Sequence, residues 1–357
     1  MSVDTTATAA TPTSDCSCCC FMVSPNPRQT FLPLCLVVSE SLSNFAVDLK
    51  SSIFQRPAWV VLFALTAAMA WGWAFPLIKI GFSAFGITAD MTGSKMLFAG
   101  IRFMVAGLIV LTVAHTRRPS APSPSGRNAL KRGDWLFVLA FALINTTLHY
   151  FFFYVGMSHS EGSRAAILNS LSTFLVVLLA CACFKSDRLT SRKIIGCAVG
   201  FCGILTLNLG TDGGQHFTWL GDGMIILNAV CGATANLMTR PLSRRVDIFL
   251  GTGYSLSIGG LLLILSGLAF GGTLPRVNIL GIVCLVLLIA ISALAFALYN
   301  KLLSLNPVGK VAIYNSLIPV VGAVTSCLCL GETFHQKYAL AAALAAIGIY
   351  IINKGKH

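Results

Sequence analysis

A small set of residues in this sequence sits where apolar packing alone would not place them. Trp71 and Phe75 fall at i,i+4 on one helical face, and Pro76 removes the amide that would bond the Gly72 carbonyl. Asn145 and His149 share a face, with Tyr150 and Tyr154 adjoining. Asn228, Gly232 and Asn236 recur at i,i+4,i+8; Asn169 and Asn315 each stand one to two turns into an apolar run, and Pro319 frees the Asn315 carbonyl. Tyr299 and Tyr314 mark the end of one run and the start of another, and Arg102 lies about two turns into its own. Amides, imidazole, phenols and indole are groups that hydrogen-bond a solute, and aromatic faces attract cations. None of them is arranged as a nucleophile beside a base.

At hydrocarbon depth a polar group is costly unless it lines a cavity or pairs with another. Trp71, Phe75, Asn145, His149, Tyr150, Asn169, Asn228, Asn236, Tyr299 and Asn315 are therefore the candidate solute-binding residues. Each also has a plainer reading. Pro76 marks either a helix broken at a site or a kink packed by a neighbour. His149 is either a proton-handling or solute-contacting imidazole, or a hydrogen-bonded structural one. Asn169 and Asn315 bind solute or form interhelical hydrogen bonds worth roughly 0.6 kcal/mol each. Tyr299 and Tyr314 line the cavity or anchor an interface. Arg102 either neutralises a solute carboxylate or snorkels, and snorkelling is the favoured expectation.

Several chemistries are missing. There are no paired carboxylates, no HExxH and no nucleophile–base set, so the chain does not read as an enzyme. No GxxxxGK[ST] loop is present, which argues against ATP drive. Asp222 falls near the start of a run, and Glu161, Asp187 and Glu332 fall in loops, so a carboxylate proton relay is unsupported. Neither a charged ring nor a filter sequence suggests a channel. No cofactor or metal is implied; most cysteines lie within apolar runs, where Cys packs as a small hydrophobe.

The elements that must position these residues are apolar spans. The 357 residues are 56% hydrophobic and 10% charged, with mean hydropathy +0.81, against ~25% charged in a soluble domain. Ten spans are expected near 58–82, 96–114, 135–157, 164–184, 194–210, 219–238, 247–269, 278–299, 310–330 and 338–352. The net charge of +13 does not point to nucleic acid. Arg117, Arg118, Arg127, Lys131 and Arg132 follow the second span, and Lys185, Arg188, Arg192 and Lys193 follow the fourth. Arg240, Arg244, Arg245, Lys301, Lys310, Lys354 and Lys356 fall on the same side if the spans alternate, placing both termini in the cytoplasm of a cell-membrane protein. Residues 1–57 read as a disordered cytoplasmic extension with a Cys cluster and no assigned function, and 354–357 as a cytoplasmic tail.

The chain also repeats itself. Residues 164–208 return as 310–353: Asn169-Ser170-Leu171 falls on Asn315-Ser316-Leu317, Asp187 on Glu332 and Gly203 on Gly348. The first and sixth spans align loosely. Two halves follow, 58–210 and 211–353, and because each holds five spans the second enters the bilayer inverted. The expected fold is all-α and polytopic, ten transmembrane helices in two inverted five-helix repeats. Inverted repeats with a midplane site between them belong to secondary transporters. Gly196, Gly200 and Gly203, matched by Ala341, Ala345 and Gly348, read as close helix packing within or between protomers; a monomer and a homodimer both remain open.

WGWAFPLIKIGF (71–82), GIRF (100–103), YVGMSHSEGSRAAILNSLSTFLVVLLA (154–180), DRLTSRKIIGCAVGFCGILTLN (187–208) and the NPVGKVAIYNSLIPV…GE block (306–332) resemble the EamA branch of the drug/metabolite transporter superfamily. The resemblance covers about 58–353 and implies a ten-helix permease whose relatives export amino acids or other small metabolites. The ninth and tenth spans carry no internal cation, unlike the superfamily's phosphorylated-solute carriers, which argues against a phosphorylated substrate. The expected partners are a small-molecule solute and the lipid bilayer, the solute being an amino acid or related compound moved by facilitated transport or exchange, with His149 the candidate if a proton is coupled. The alternative is an importer or exchanger of a larger, nucleoside-like metabolite of the S-adenosylmethionine type.

Overall fold

The computed structural model describes residues 53–116, 132–183, 190–206, 217–306, 311, 313–332 and 336–353, and all regular structure among them is helical. Helix α1 is Pro57–Phe85, α2 Thr92–Thr116 and α3 Arg132–Ser158. Helix α4 has two parts, α4a Gly162–Asn169 and α4b Leu171–Cys183, and α5 is Ser191–Thr206. The second half contains α6 Trp219–Ser243, α7 Ile248–Ala269, α8 Ile279–Leu305, α9 (a 3₁₀ turn Ile313–Ser316 leading into Leu317–Leu330) and α10 Gln336–Asn353. Six of these, α1, α2, α3, α6, α7 and α8, are long and apolar enough to cross a membrane; shorter apolar stretches lie in α4, α9 and α10. Most of the N-terminal extension, several loop cations (Arg117, Arg118, Arg127, Lys131, Lys185, Arg188, Lys310) and the C-terminal tail lie outside the described residues.

Local signals set the ends. Pro57 opens α1, where its missing amide costs nothing, and Gly86 closes it at φ 69°, with its N–H returned to the Phe82 and Ser83 carbonyls. Asp247 caps α7 by accepting from the Phe249 and Leu250 amides, and Asn278 caps α8 by accepting from Gly281 N. Helices α1 and α8 run on to Phe85 and Leu305, beyond the ends expected at 82 and 299. The extension of α8 carries Asn300 into the bundle.

The packing has a two-fold pattern. Helix α2 lies along α7 and α5 along α10; α1 packs on α8 and α9, as α6 packs on α3 and α4. Exchanging each helix for the one five places on leaves that scheme unchanged. The α2–α7 contact also gives the sense of the axis. A Cβ on Gly93 would lie 2.8 Å from the Gly267 carbonyl oxygen, one on Gly100 2.7 Å from that of Gly260, and one on Gly107 2.8 Å from that of Gly253. Numbers rise along one helix as they fall along the other, so the equivalent helices are antiparallel and the halves are inverted. Glycine at each seventh position lets the two backbones touch. Gly348 likewise meets Gly196 and Gly200, so the small residues of α5 and α10 pack against one another within this chain.

Candidate functional site

The discontinuities of the backbone fall where polar side chains are needed. Helix α4 breaks at Ser170, directly after Asn169. Asn315 lies in the 3₁₀ turn that precedes the α-helical part of α9, at the equivalent place in the repeat. Within α3 a π-helical stretch, Leu143–Leu148, contains Asn145; such widened turns occur at functional sites. Helix α1, by contrast, runs unbroken through Pro76. Span 9 covers it there, since a Cβ on Gly72 would meet Val321 Cγ1 at 2.5 Å. Of the two readings open at Pro76 a broken helix is not seen; the interruption lies in α4, with a 3₁₀ turn opening α9.

These segments surround one cavity. Trp71, Phe75, Asn145, His149, Tyr150, Asn169, Asn236, Tyr299 and Asn315 line it, joined by Arg102, Phe153, Ser172, Thr239, Phe296 and Asn300. The space open to water centres is about 120 Å³, room for several waters at ~10–15 Å³ each. Its wall is part aromatic and part amide. Trp71 stands edge-on to Phe296 and Tyr299, with centroids 5.3 and 5.0 Å away, and Tyr150 lies 4.0 Å from Phe103.

Most of the polar groups are held by neighbours. Asn228 is fully buried; it does not line the cavity, and its Nδ2 donates to Asn169 Oδ1 at 2.7 Å. The His149 Nδ1–H donates to the Asn228 carbonyl at 3.0 Å, which leaves Nε2 as the ring nitrogen with no protein partner among the described residues. Asn145 Nδ2 donates to Ser255 Oγ (3.1 Å) and Asn236 Nδ2 to the Gly232 carbonyl (3.0 Å). Asn315 Nδ2 donates to the Tyr299 hydroxyl at 2.6 Å and Asn300 Nδ2 to Thr252 Oγ1 at 3.0 Å. Asn315 Oδ1, Asn228 Oδ1 and Trp71 Nε1 are buried with no protein partner among the described residues. Tyr314 packs on the Val60–Tyr299 cluster, outside the cavity lining.

Arg102 departs furthest from expectation. Snorkelling would leave its guanidinium in water, yet the residue is 1% exposed. Its Nε donates to Ser292 Oγ at 2.8 Å and the Leu288 carbonyl at 3.2 Å, and its NH1 to the Tyr154 hydroxyl at 2.9 Å. Partners waiting on α3 and α8 hold it in the bundle. Ser292 and Asn300, two polar residues on one very apolar helix, were the sequence signal for that side of the cavity. Thr239, one turn beyond Asn236, continues the stripe of α6.

One end of the bundle is closed by ions. Arg164 meets Asp222 through two hydrogen bonds of 2.8 Å, with both side chains buried. Glu332 accepts from Gly162 N at 2.9 Å and pairs with Lys79 at 3.4 Å. Both pairs join the first half to the second, so Glu332, expected in a loop, is a structural link between halves. Arg245–Asp134, at 3.3 Å, joins the halves at the opposite end and is on the surface. Thr239 lies 17 residues along α6 from Asp222, roughly 25 Å at the helical rise. The lining thus runs from Asn169, five residues along α4 from Arg164, to Thr239, well away from the Arg164–Asp222 pair.

Comparison with known proteins matches this architecture. The model of the EamA-like transporter family fits residues 58–209 and 219–354. An uncharacterised transporter, YvbV of Bacillus subtilis, is 25% identical, covering 79% of this chain and 88% of its own. A probable amino-acid metabolite efflux pump of Salmonella typhimurium is 25% identical over 81% of this chain and 92% of its own. A solved crystal structure with 17% identity superposes with a TM-score of 0.62 over 83% of this chain and 97% of its own, which shows the shared fold. The chain is thus a multi-pass membrane protein and a small-molecule transporter rather than an enzyme, and it belongs to the EamA-like transporter family, in the drug/metabolite transporter superfamily.

Proposed function

We propose that the protein exports amino acids or related small metabolites across the cell membrane by alternating access, with solute held in the cavity between the halves. The observation that carries this reading is the cavity itself, where amides and aromatic faces from α1, α3, α4, α6, α8 and α9 converge around about 120 Å³. Its size suits a small solute. Similarity to a relative named as a probable amino-acid metabolite efflux pump supports both the solute class and the direction. In the orientation favoured by the basic loops the termini are cytoplasmic. The buried Arg164–Asp222 pair and the part-buried Lys79–Glu332 pair then lie at the outer end, with the cavity between them and the cytoplasm, the arrangement an exporter needs when it loads.

Cells that overproduce the protein are expected to release one or a few amino acids into the medium faster than the parent, and to tolerate their toxic analogues better. Cells lacking it are expected to accumulate the same compounds. Amino-acid pools and release unchanged in both strains, with the protein present in the membrane of the overproducer, contradict the proposal.

A further inference from the structure

We propose that Arg102 is the solute's carboxylate-binding residue, a role that rests on the cavity being the solute site. Three observations meet at this side chain. It lines the cavity and is 1% exposed. Its hydrogen-bond partners, Ser292, Tyr154 and the Leu288 carbonyl, are all neutral, and its guanidinium carbon lies 4.8 Å from the centroid of the Phe103 ring. Among the described residues no carboxylate pairs with it; Asp222, Glu332 and Asp134 are each engaged with other cations.

A guanidinium is a cation with five N–H donors in a planar fork. Here Nε and NH1 are tied down, and NH2 has no protein partner among the described residues. Holding a charge in a low-dielectric bundle without a counter-ion is expensive, and the three neutral bonds do not neutralise it. The charge strengthens the bonds that tie α2 to α3 and α8, but neither they nor the Phe103 face supply a counter-charge. A residue that receives a carboxylate gains from each part: the fixed Nε and NH1 orient the fork, the remaining donors are left for a solute in the cavity that Arg102 lines, and the solute brings the missing charge. Opposite chemistry is supplied elsewhere in the same wall. Asn315 Oδ1 and His149 Nε2 are neutral acceptors with no protein partner among the described residues, suited to a solute ammonium. The arrangement matches a small zwitterion, with the carboxylate on Arg102.

The test uses the purified full-length protein in detergent, with ligand-induced thermal shift titrated for matched probes: leucine and phenylalanine, their carboxamides, and the amine-free acids 4-methylpentanoate and 3-phenylpropionate. Wild type is expected to bind the carboxylates at least about tenfold more tightly than the matched amides, the worth of a charge-assisted bond. In Arg102→Gln acid and amide are expected to bind within about twofold of each other, and Arg102→Lys recovers part of the preference. Should Arg102→Gln fail to fold, Tyr154→Phe and Ser292→Ala loosen the fork while keeping the charge; acid affinity is expected to fall several-fold and amide affinity to hold. Amides that bind wild type as well as acids, a preference that survives Arg102→Gln, equal losses for both probes in the loosened variants, or no binding of any carboxylate overturn the assignment. If only the amine-free acids bind, and do so through Arg102, the amino-acid reading fails and the carboxylate role stands.

Discussion

Asn228 exposes nothing to solvent, and its carboxamide holds Asn169 in place through the 2.7 Å bond from Nδ2 to Oδ1. Its carbonyl separately fixes the ring of His149. It is therefore a support behind two lining residues. Asn228→Ala removes the first interaction and leaves the second, because a carbonyl survives any side-chain change. The Asn169 oxygen, part-buried at the cavity wall, then loses its donor, a loss of about 0.5–1.5 kcal/mol. Thermal unfolding of the purified variant should show that loss; an unchanged transition temperature contradicts the support role. Residue types at depth were enough to find most of the lining, since an amide in a very apolar helix stands out. The division into lining and support was not legible, because residues i and i+8 on one stripe differ only in what stands opposite them. Arg102 was misjudged for the same reason: snorkelling depends on whether partners wait inside, and Ser292 and Tyr154 are remote in sequence.

At the scale of elements, the glycines of α2 and α7 are the clearest packing device. A Cβ on Gly260 would run into the Met104 backbone, and no side-chain rotation relieves a clash with backbone. Gly260→Ala should lose roughly 1–3 kcal/mol through overpacking, whereas Gly133→Ala, with nothing within 4 Å of its Cβ, should not. Unfolding midpoints of the two variants compare them directly, and equal stability removes the case for the contact. The seven-residue spacing of Gly93, Gly100 and Gly107, mirrored by Gly253, Gly260 and Gly267, is visible in the sequence. The α5 and α10 pattern is the more legible of the two because it lies inside the detectable repeat. Helix breaks were harder to place. Pro76 is compatible with one and is not one, since a neighbour packs across Gly72; Asn169-Ser170 breaks its helix and Asn315-Ser316 ends a 3₁₀ turn, with no proline between them.

At the scale of the molecule, an odd number of spans per half makes the halves inverted, and antiparallel α2 and α7 are the structural expression of that count. The two ends of the bundle nevertheless differ. Buried pairs such as Arg164–Asp222 are costly to break, about 3–5 kcal/mol when one partner is removed. The surface pair Arg245–Asp134 is worth about 0–1 kcal/mol. A carrier alternates between such closures, so a buried ion pair at one end and a surface pair at the other, among the described residues, is the asymmetry expected of a single state in the cycle. The decisive measurement is counterflow in proteoliposomes containing the purified protein, preloaded with an unlabelled amino acid and given the labelled one outside. Saturable, transient accumulation of label that depends on the internal load, and that falls at least about tenfold in Trp71→Ala and Asn315→Ala proteins that still fold, is the expected result. Flux that does not saturate and ignores the internal load, or that is unchanged by either substitution, contradicts a carrier working through this cavity.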